Sequence, residues 1–204
     1  MQRLLCIRCG DSIHPDTAAR NAGLCIPCTR GNQLTIEERN ERHRKQREEE
    51  RAHLASPEYK YWGALVSRVY DDAGGFETLP HGDRLYFLLS VLSGEVHNGG
   101  FDQFFSNSSG ERYAETVEAL QELEDQATLQ LLREAKAVLF GPEDVPVDRR
   151  ARVEMMATFS EDDPRYEPAS QVLDQLDAQF YASVSNIEAA LDRIVRTYQL
   201  YGKT

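Results

Sequence analysis

No stretch of about 18 consecutive apolar residues occurs in the 204-residue chain, so no membrane-spanning helix is expected. The opening MQRLLCIRCG lacks the apolar length of a secretory signal, and the apolar segment before Leu4-Leu5-Cys6 is too short for a lipoprotein signal. Alternating runs of valine and isoleucine are scarce, which argues against a sheet in the larger part of the chain. Apolar heptads are missing from the charged stretch 33–55, so a coiled coil is not expected there. No glycine-rich phosphate loop and no nucleophile elbow is found. Basic residues are also scarce after residue 55. Residues 56–204 hold 13 basic and 26 acidic residues, a balance of −13, whereas residues 1–55 hold 10 and 8, or +2, for a chain total of −11. So acidic a segment repels nucleic acid and membrane surfaces and favours basic partners, while residues 1–55 leave contact with nucleic acid open. The plain alternative is that the charge serves solubility.

What the chain does have is cysteine spacing. Cys6-x2-Cys9 and Cys25-x2-Cys28 flank fifteen residues, Gly10 to Leu24, as in a four-cysteine zinc ribbon or knuckle. Each C-x2-C turn aims two thiolates at one ion, and four soft thiolates suit tetrahedral zinc. A complete set of four leaves no position for a catalytic water. One structural zinc ion is therefore expected, with paired-thiol redox chemistry as the alternative and His14 outside the ligand set. Leu4, Leu5, Ile7, Ile13, Leu24 and Ile26 are too few to fold the segment, so metal binding is expected to supply its folding energy. Thiols kept for a metal fit a reducing cytoplasm.

Three segments follow from these patterns: a zinc-binding unit over 1–32, a charged helical linker over 33–56, and an acidic all-α domain over 57–204. Thr35-x-x-Glu38 reads as a capping box that opens the linker helix, with Glu38–Arg42 and Glu41–Lys45 as i,i+4 pairs. In the third segment Leu85, Leu88, Leu89, Leu92 and Val96 recur at helical spacing, and Tyr86, Phe87 and Val91 fill the other side. A helix apolar nearly all round is a buried central helix. Asp83 is expected to cap it and Asn98-Gly99-Gly100 to stop it. Ser108-x-x-Glu111 reads as a second capping box. Further helices are expected at about 57–73, 111–124, 127–140, 168–181 and 185–201. Another starts at Asp148 and runs to Phe159, with Val153, Met156 and Phe159 inward.

The stretch EVHNGGFDQFFSNSSGE carries a resemblance. Asn98, Gly99, Gly100, Phe101, Gln103, Phe104, Phe105 and Asn107 form an N-G-G-F-x-Q-F-F-x-N signature. It resembles that of a bacterial domain of unknown function whose best-studied member is an acidic DNA mimic that binds a transcription factor in place of DNA. The resemblance covers roughly residues 57–140 and does not include the cysteines. It implies a basic DNA-binding protein, such as a transcription factor, as partner; a homodimer is left open separately. It transfers no catalytic residues, and the signature residues are read as structural.

Glu111, Glu115, Glu118, Glu122 and Asp125 are spaced four, three, four and three, which places them in one wedge of a helix. The plain reading is a solvated face. The sharper one is a row of carboxylates standing in for phosphates, unbalanced by any basic residue in the wedge, with Glu143, Asp144, Glu161, Asp162 and Asp163 extending it. Glu95, His97, Asn98 and Asp102 invite an enzymatic reading, with His97 as general base. Short polar side chains beside a glycine turn more commonly satisfy the backbone, so turn architecture is preferred over catalysis. The leading expectation is an acidic binding protein that regulates a DNA-binding partner by mimicry. The alternatives are a zinc-ribbon adaptor and an enzyme centred on His97.

Overall fold

The structure is a computed structural model in which residues 3–31 and 34–201 are described. The chain forms two units, Met1–Lys60 and Tyr61–Thr204. In the first, β1 (Leu4–Leu5) pairs antiparallel with β2 (Ser12–Ile13), Leu4 opposite Ile13. Helices α1 (Pro15–Arg20), α2 (Ile26–Thr29) and α3 (Ile36–Ala55) follow. The interior of this unit is Cys6, Cys9, Cys25 and Cys28 with Ile13 and Ala18. Of the apolar residues the sequence offered, only Ile13 is buried, and Leu5 and Ile7 are 69% and 72% exposed. Two buried apolar side chains cannot offset the ordering entropy of such a segment.

Helix α3 starts as its capping box requires: Glu38 N–H donates to Thr35 Oγ1 (3.2 Å) and Thr35 N–H to Glu38 Oε2 (2.7 Å). None of its residues is buried. It is a solvated helix, with ion pairs Arg44–Glu41 and Lys45–Glu49 along it.

The second unit is all-helical among its described residues. Helix α4 (Pro57–Tyr70) leads into it and buries Leu65. A 3-10 turn at Gly75–Thr78 precedes α5 (His81–Ser106). Then come a 3-10 turn at Ser108–Arg112, α6 (Tyr113–Glu122), α7 (Gln126–Phe140), α8 (Arg149–Met155), α9 (Tyr166–Ala182) and α10 (Val184–Tyr198). Helix α5 is the buried centre, with Leu85, Leu89, Leu92 and Val96 in one core with α6, α7, α9 and α10. The expected stop is a sharp break: Gly99 (φ −159°) and Gly100 (φ +74°) leave helical geometry, and the chain resumes helix through Phe101–Ser106. No helix among the described residues is long and apolar enough to cross a membrane.

Three local expectations are corrected. Asp83 does not cap α5. The helix begins earlier, after Pro80, and the buried Asp83 carboxylate accepts from Arg68 Nη1 (2.6 Å) and Tyr61 Oη (2.9 Å). Ser108 and Glu111 make no capping box. Their segment is a 3-10 turn, in which Ser109 Oγ instead donates to the Phe104 carbonyl (2.7 Å). Phe159 is 57% exposed, because α8 ends at Met155, and of the three residues expected inward only Met156 is buried.

Candidate functional site

In the first unit the four cysteine sulfurs all lie within 4.8 Å of one another, and all four residues are buried. Cys9 Sγ and Cys25 Sγ are 3.6 Å apart. A tetrahedral tetrathiolate zinc centre with bonds of about 2.3 Å has sulfur–sulfur edges of about 3.8 Å. Backbone donors are already aimed at the sulfurs: Cys25 N–H at Cys6 Sγ (3.3 Å) and Cys28 N–H at Cys25 Sγ (3.4 Å). The first turn closes through Gly10 N–H donating to the Cys6 carbonyl (2.8 Å), with Gly10 at φ +74°. Burial pushes the Cys9 and Cys28 thiols up. Burial also opposes ionisation of Cys6, but backbone N–H groups of Cys25, Cys9 and Arg8 outweigh it and bring that thiol down to about 6. The donor set fits a soft metal ion. His14 stands outside it, its Nδ1 accepting from Asp16 N–H (3.3 Å).

In the second unit Glu111 lies in the 3-10 turn, and Glu115, Glu118 and Glu122 follow on α6. Glu111, Glu118 and Glu122 are exposed and Glu115 is half-buried. Asp125 leaves the row. It is 8% exposed, and its carboxylate caps α7 by accepting from Thr128 N–H (3.1 Å) and Thr128 Oγ1 (2.7 Å). Its position between two helices makes it a cap first.

The wedge is also not free of cations. Arg112 contacts Glu77 (2.6 Å), Glu115 (2.9 Å) and Glu111 (3.8 Å), with its guanidinium 4.2 Å from the Phe76 ring centroid. His81 Nε2 lies 2.7 Å from Glu122 Oε1. Glu115, Glu118 and Glu122 line a groove of about 180 Å³ with His81 and Arg84. Arg84 Nε there is buried with no hydrogen-bond partner among the described residues. Arg112, three residues before Glu115, was legible as an i,i+3 partner. Arg84 and His81 arrive from α5, where spacing along α6 gives no sign of them.

The signature residues build the break in α5. Gln103 Nε2 (2.6 Å) and Asn107 Nδ2 (2.9 Å) both donate to Glu95 Oε2 across it. Phe101 N–H, released from the helix ladder, donates to Asp177 Oδ1 (2.9 Å). A Cβ on Gly100 would lie 2.1 Å from Asp177 Oδ2, so glycine is needed for space as well as for φ. Burial raises the Asp177 carboxyl above its usual range, with the Phe101 N–H opposing. Phe101, Phe104 and Phe105 are buried, the last two edge to face at 5.1 Å, while Asn98 is exposed. Under the second half of α5 lies Arg152 from α8, 0% exposed. It donates to the carbonyls of Phe105 (2.6 Å), Asn107 (2.6 Å), Pro146 (2.8 Å) and Val147 (2.8 Å).

His97, the hub of the enzymatic reading, has Nδ1 2.7 Å from the Ser93 carbonyl and its ring against Phe180 and Tyr181. The acids near it in sequence are engaged elsewhere, Glu95 across the break and Asp102 with Thr158. Arg152 and Asp177 escaped the sequence reading. Each had a signal: Asp177 lies on the stripe of Leu173, Leu176 and Phe180, and Arg152 lies four residues before Met156. A charged residue on an apolar stripe is a buried group awaiting partners.

A family model described as DMP19-like protein matches residues 77–198. The match takes in the break in α5 and the acidic row, and leaves out the cysteine cluster and α3. No curated protein and no solved structure matches the chain.

Proposed function

The chain belongs to the DMP19-like family, and from that premise we propose that it is an acidic binding protein that occupies the DNA-contacting surface of a basic partner, such as a transcription factor. One observation carries the reading beyond membership. Residues 77–198 hold 10 basic and 23 acidic residues, so the whole −13 of the chain's acidic part lies inside the family segment. Exposed Glu111, Glu118 and Glu122, with Glu115, are the contacts we assign to the partner. In the first unit we assign one structural zinc ion to Cys6, Cys9, Cys25 and Cys28. Such a thiolate site suits a reducing compartment, the cytoplasm.

The test is binding by the full chain to a basic DNA-binding protein recovered by affinity purification from the native host. Binding should weaken steeply with salt, because exposed charges are screened over about 8–10 Å at physiological ionic strength. DNA should compete for the same partner surface. Glu118→Gln with Glu122→Gln should lower affinity and leave the fold unchanged. Simultaneous binding of DNA and this protein to the partner would refute mimicry.

A second reading, a zinc-ribbon adaptor, is favoured by the exposure of Leu4, Leu5, Ile7 and Ile26 on the first unit. Under it Leu5→Ser with Ile7→Ser, and not the glutamine pair, would abolish partner recovery.

A further inference from the structure

Helix α3 has 20 residues and buries none of them. A helix with no packed face lacks the tertiary contacts that supply most helical stability, and it frays from an end that nothing fixes. Its first turn is fixed, and every contact leads to one loop. Ile36 N–H donates to the Arg8 carbonyl (2.9 Å), and Arg39 Nη1 donates to Asp11 Oδ1 (2.9 Å). A Cβ built on Gly10 would meet Ile36 Cδ1 at 3.6 Å and Arg39 Nη2 at 3.8 Å, so both side chains lie over that glycine. Arg8, Gly10 and Asp11 belong to the loop that carries Cys9, and Asp11 closes it by accepting from Cys6 N–H through its carbonyl (2.8 Å). The ion pairs further along, Arg44–Glu41 and Lys45–Glu49, stay within the helix and anchor it to nothing.

We infer that the metal module extends into α3: metal binding by the four cysteines and helical order in the first half of Ile36–Ala55 are one linked equilibrium, with Arg39 as the positioning residue that joins them. The inference rests on the zinc reading above. Four thiolates around a divalent ion leave a net negative centre. A guanidinium held against the Cys6–Asp11 loop favours that charge and fixes the loop, as outer-shell partners do at metal sites. In the other direction, a loop ordered by metal presents the Arg8 carbonyl and the Asp11 carboxylate in place, which nucleates the helix. Loaded, the first half of the segment is ordered helix. Stripped of metal, that half frays.

The experiment uses the full chain, stripped by a chelator and titrated with zinc. Hydrogen exchange is read on peptides covering 36–45, and zinc affinity by competition with a chromophoric chelator. Zinc should slow exchange over 36–45. Arg39→Gln should weaken zinc binding by about tenfold, the lower end for loss of an outer-shell partner. It should also remove most of the zinc-dependent protection. Arg47→Gln, on the same helix and away from the loop, should change neither. A protein that binds no zinc removes the metal reading and this inference together. A protein that binds zinc stoichiometrically while 36–45 exchange is indifferent to it, or in which Arg39→Gln binds zinc as tightly as wild type, removes this inference alone.

Discussion

Replacing Arg152 tests how the second unit is held together. Its guanidinium is fully buried and donates to four main-chain carbonyls, with no carboxylate among its hydrogen-bond partners. Arg152→Met keeps much of the volume and removes every donor. Val147 is 72% exposed, so water can replace the bonds on the Pro146–Val147 loop. The bonds to Phe105 and Asn107 lie under the end of α5, where water has poorer access. Hydrogen bonds from a charged donor contribute about 1.5–3 kcal/mol each, so two lost bonds destabilise by about 3–6 kcal/mol. Relief from burying a charge acts the other way, and the Asn107 carbonyl keeps Gly110 N–H (3.2 Å) as a donor, so the loss lies at the lower end of that range. For a unit of this size the midpoint should fall by about 10–15 °C. Arg152→Lys keeps the charge but cannot fork to four acceptors, and should lose more than half as much stability. Thermal and urea melts of the full chain, followed by far-UV circular dichroism, read both. An Arg152→Met protein within about 1 kcal/mol of wild type would refute the reasoning, because surface changes alone stay near that range.

Gly100→Ala meets the Asp177 carboxylate and a positive φ together, and should destabilise by about 2 kcal/mol or more in the same melts. Asp177 has a folded-state pKa raised above its unfolded value. The native state therefore holds its proton longer, and stability should fall as pH rises from the usual carboxylate range through that raised pKa. Asp177→Asn, which still accepts from Phe101 N–H, should flatten this part of the stability–pH profile, and an unchanged profile would remove Asp177 as its cause. Cys25→Ser should abolish stoichiometric metal in elemental analysis and leave the cooperative melt of the helical unit intact. Loss of that melt would show that the two units fold together.

The parts of the fold set by local pattern were legible in the sequence. The apolar run of α5 declared a buried helix, Gly99-Gly100 declared its break, and Thr35 with Glu38 declared the start of α3. The helix expected at about 185–201 is α10. What failed were polar residues whose partners are distant in sequence. Asp83 has the chemistry of a cap and is instead the buried partner of Arg68 and Tyr61. Asp125 is a local exception: it fits the spacing of the acidic row and instead caps α7 through Thr128, three residues on. A helical wheel of α6 shows neither His81 nor Arg84, which come from another helix, whereas Arg112 was legible beside Glu115. The cysteine cluster was legible because C-x2-C fixes geometry within each turn. The docking of Ile36 and Arg39 on its loop was not, because no short-range pattern links residues 8–11 to 36–39.

Arg112 changes what kind of recognition the α6 face can support. A uniform strip of carboxylates ranks polycations by total charge alone. Here one cation is pinned among Glu77, Glu111 and Glu115 and backed by an aromatic ring, so the strip carries a fixed interruption. A basic surface that places an arginine or lysine opposite that point is penalised by like-charge contact, and one with a neutral or acidic residue there is admitted. Under the mimicry proposed above, the face would discriminate by the order of charges along its length, and two partners of equal net charge would not bind it equally well.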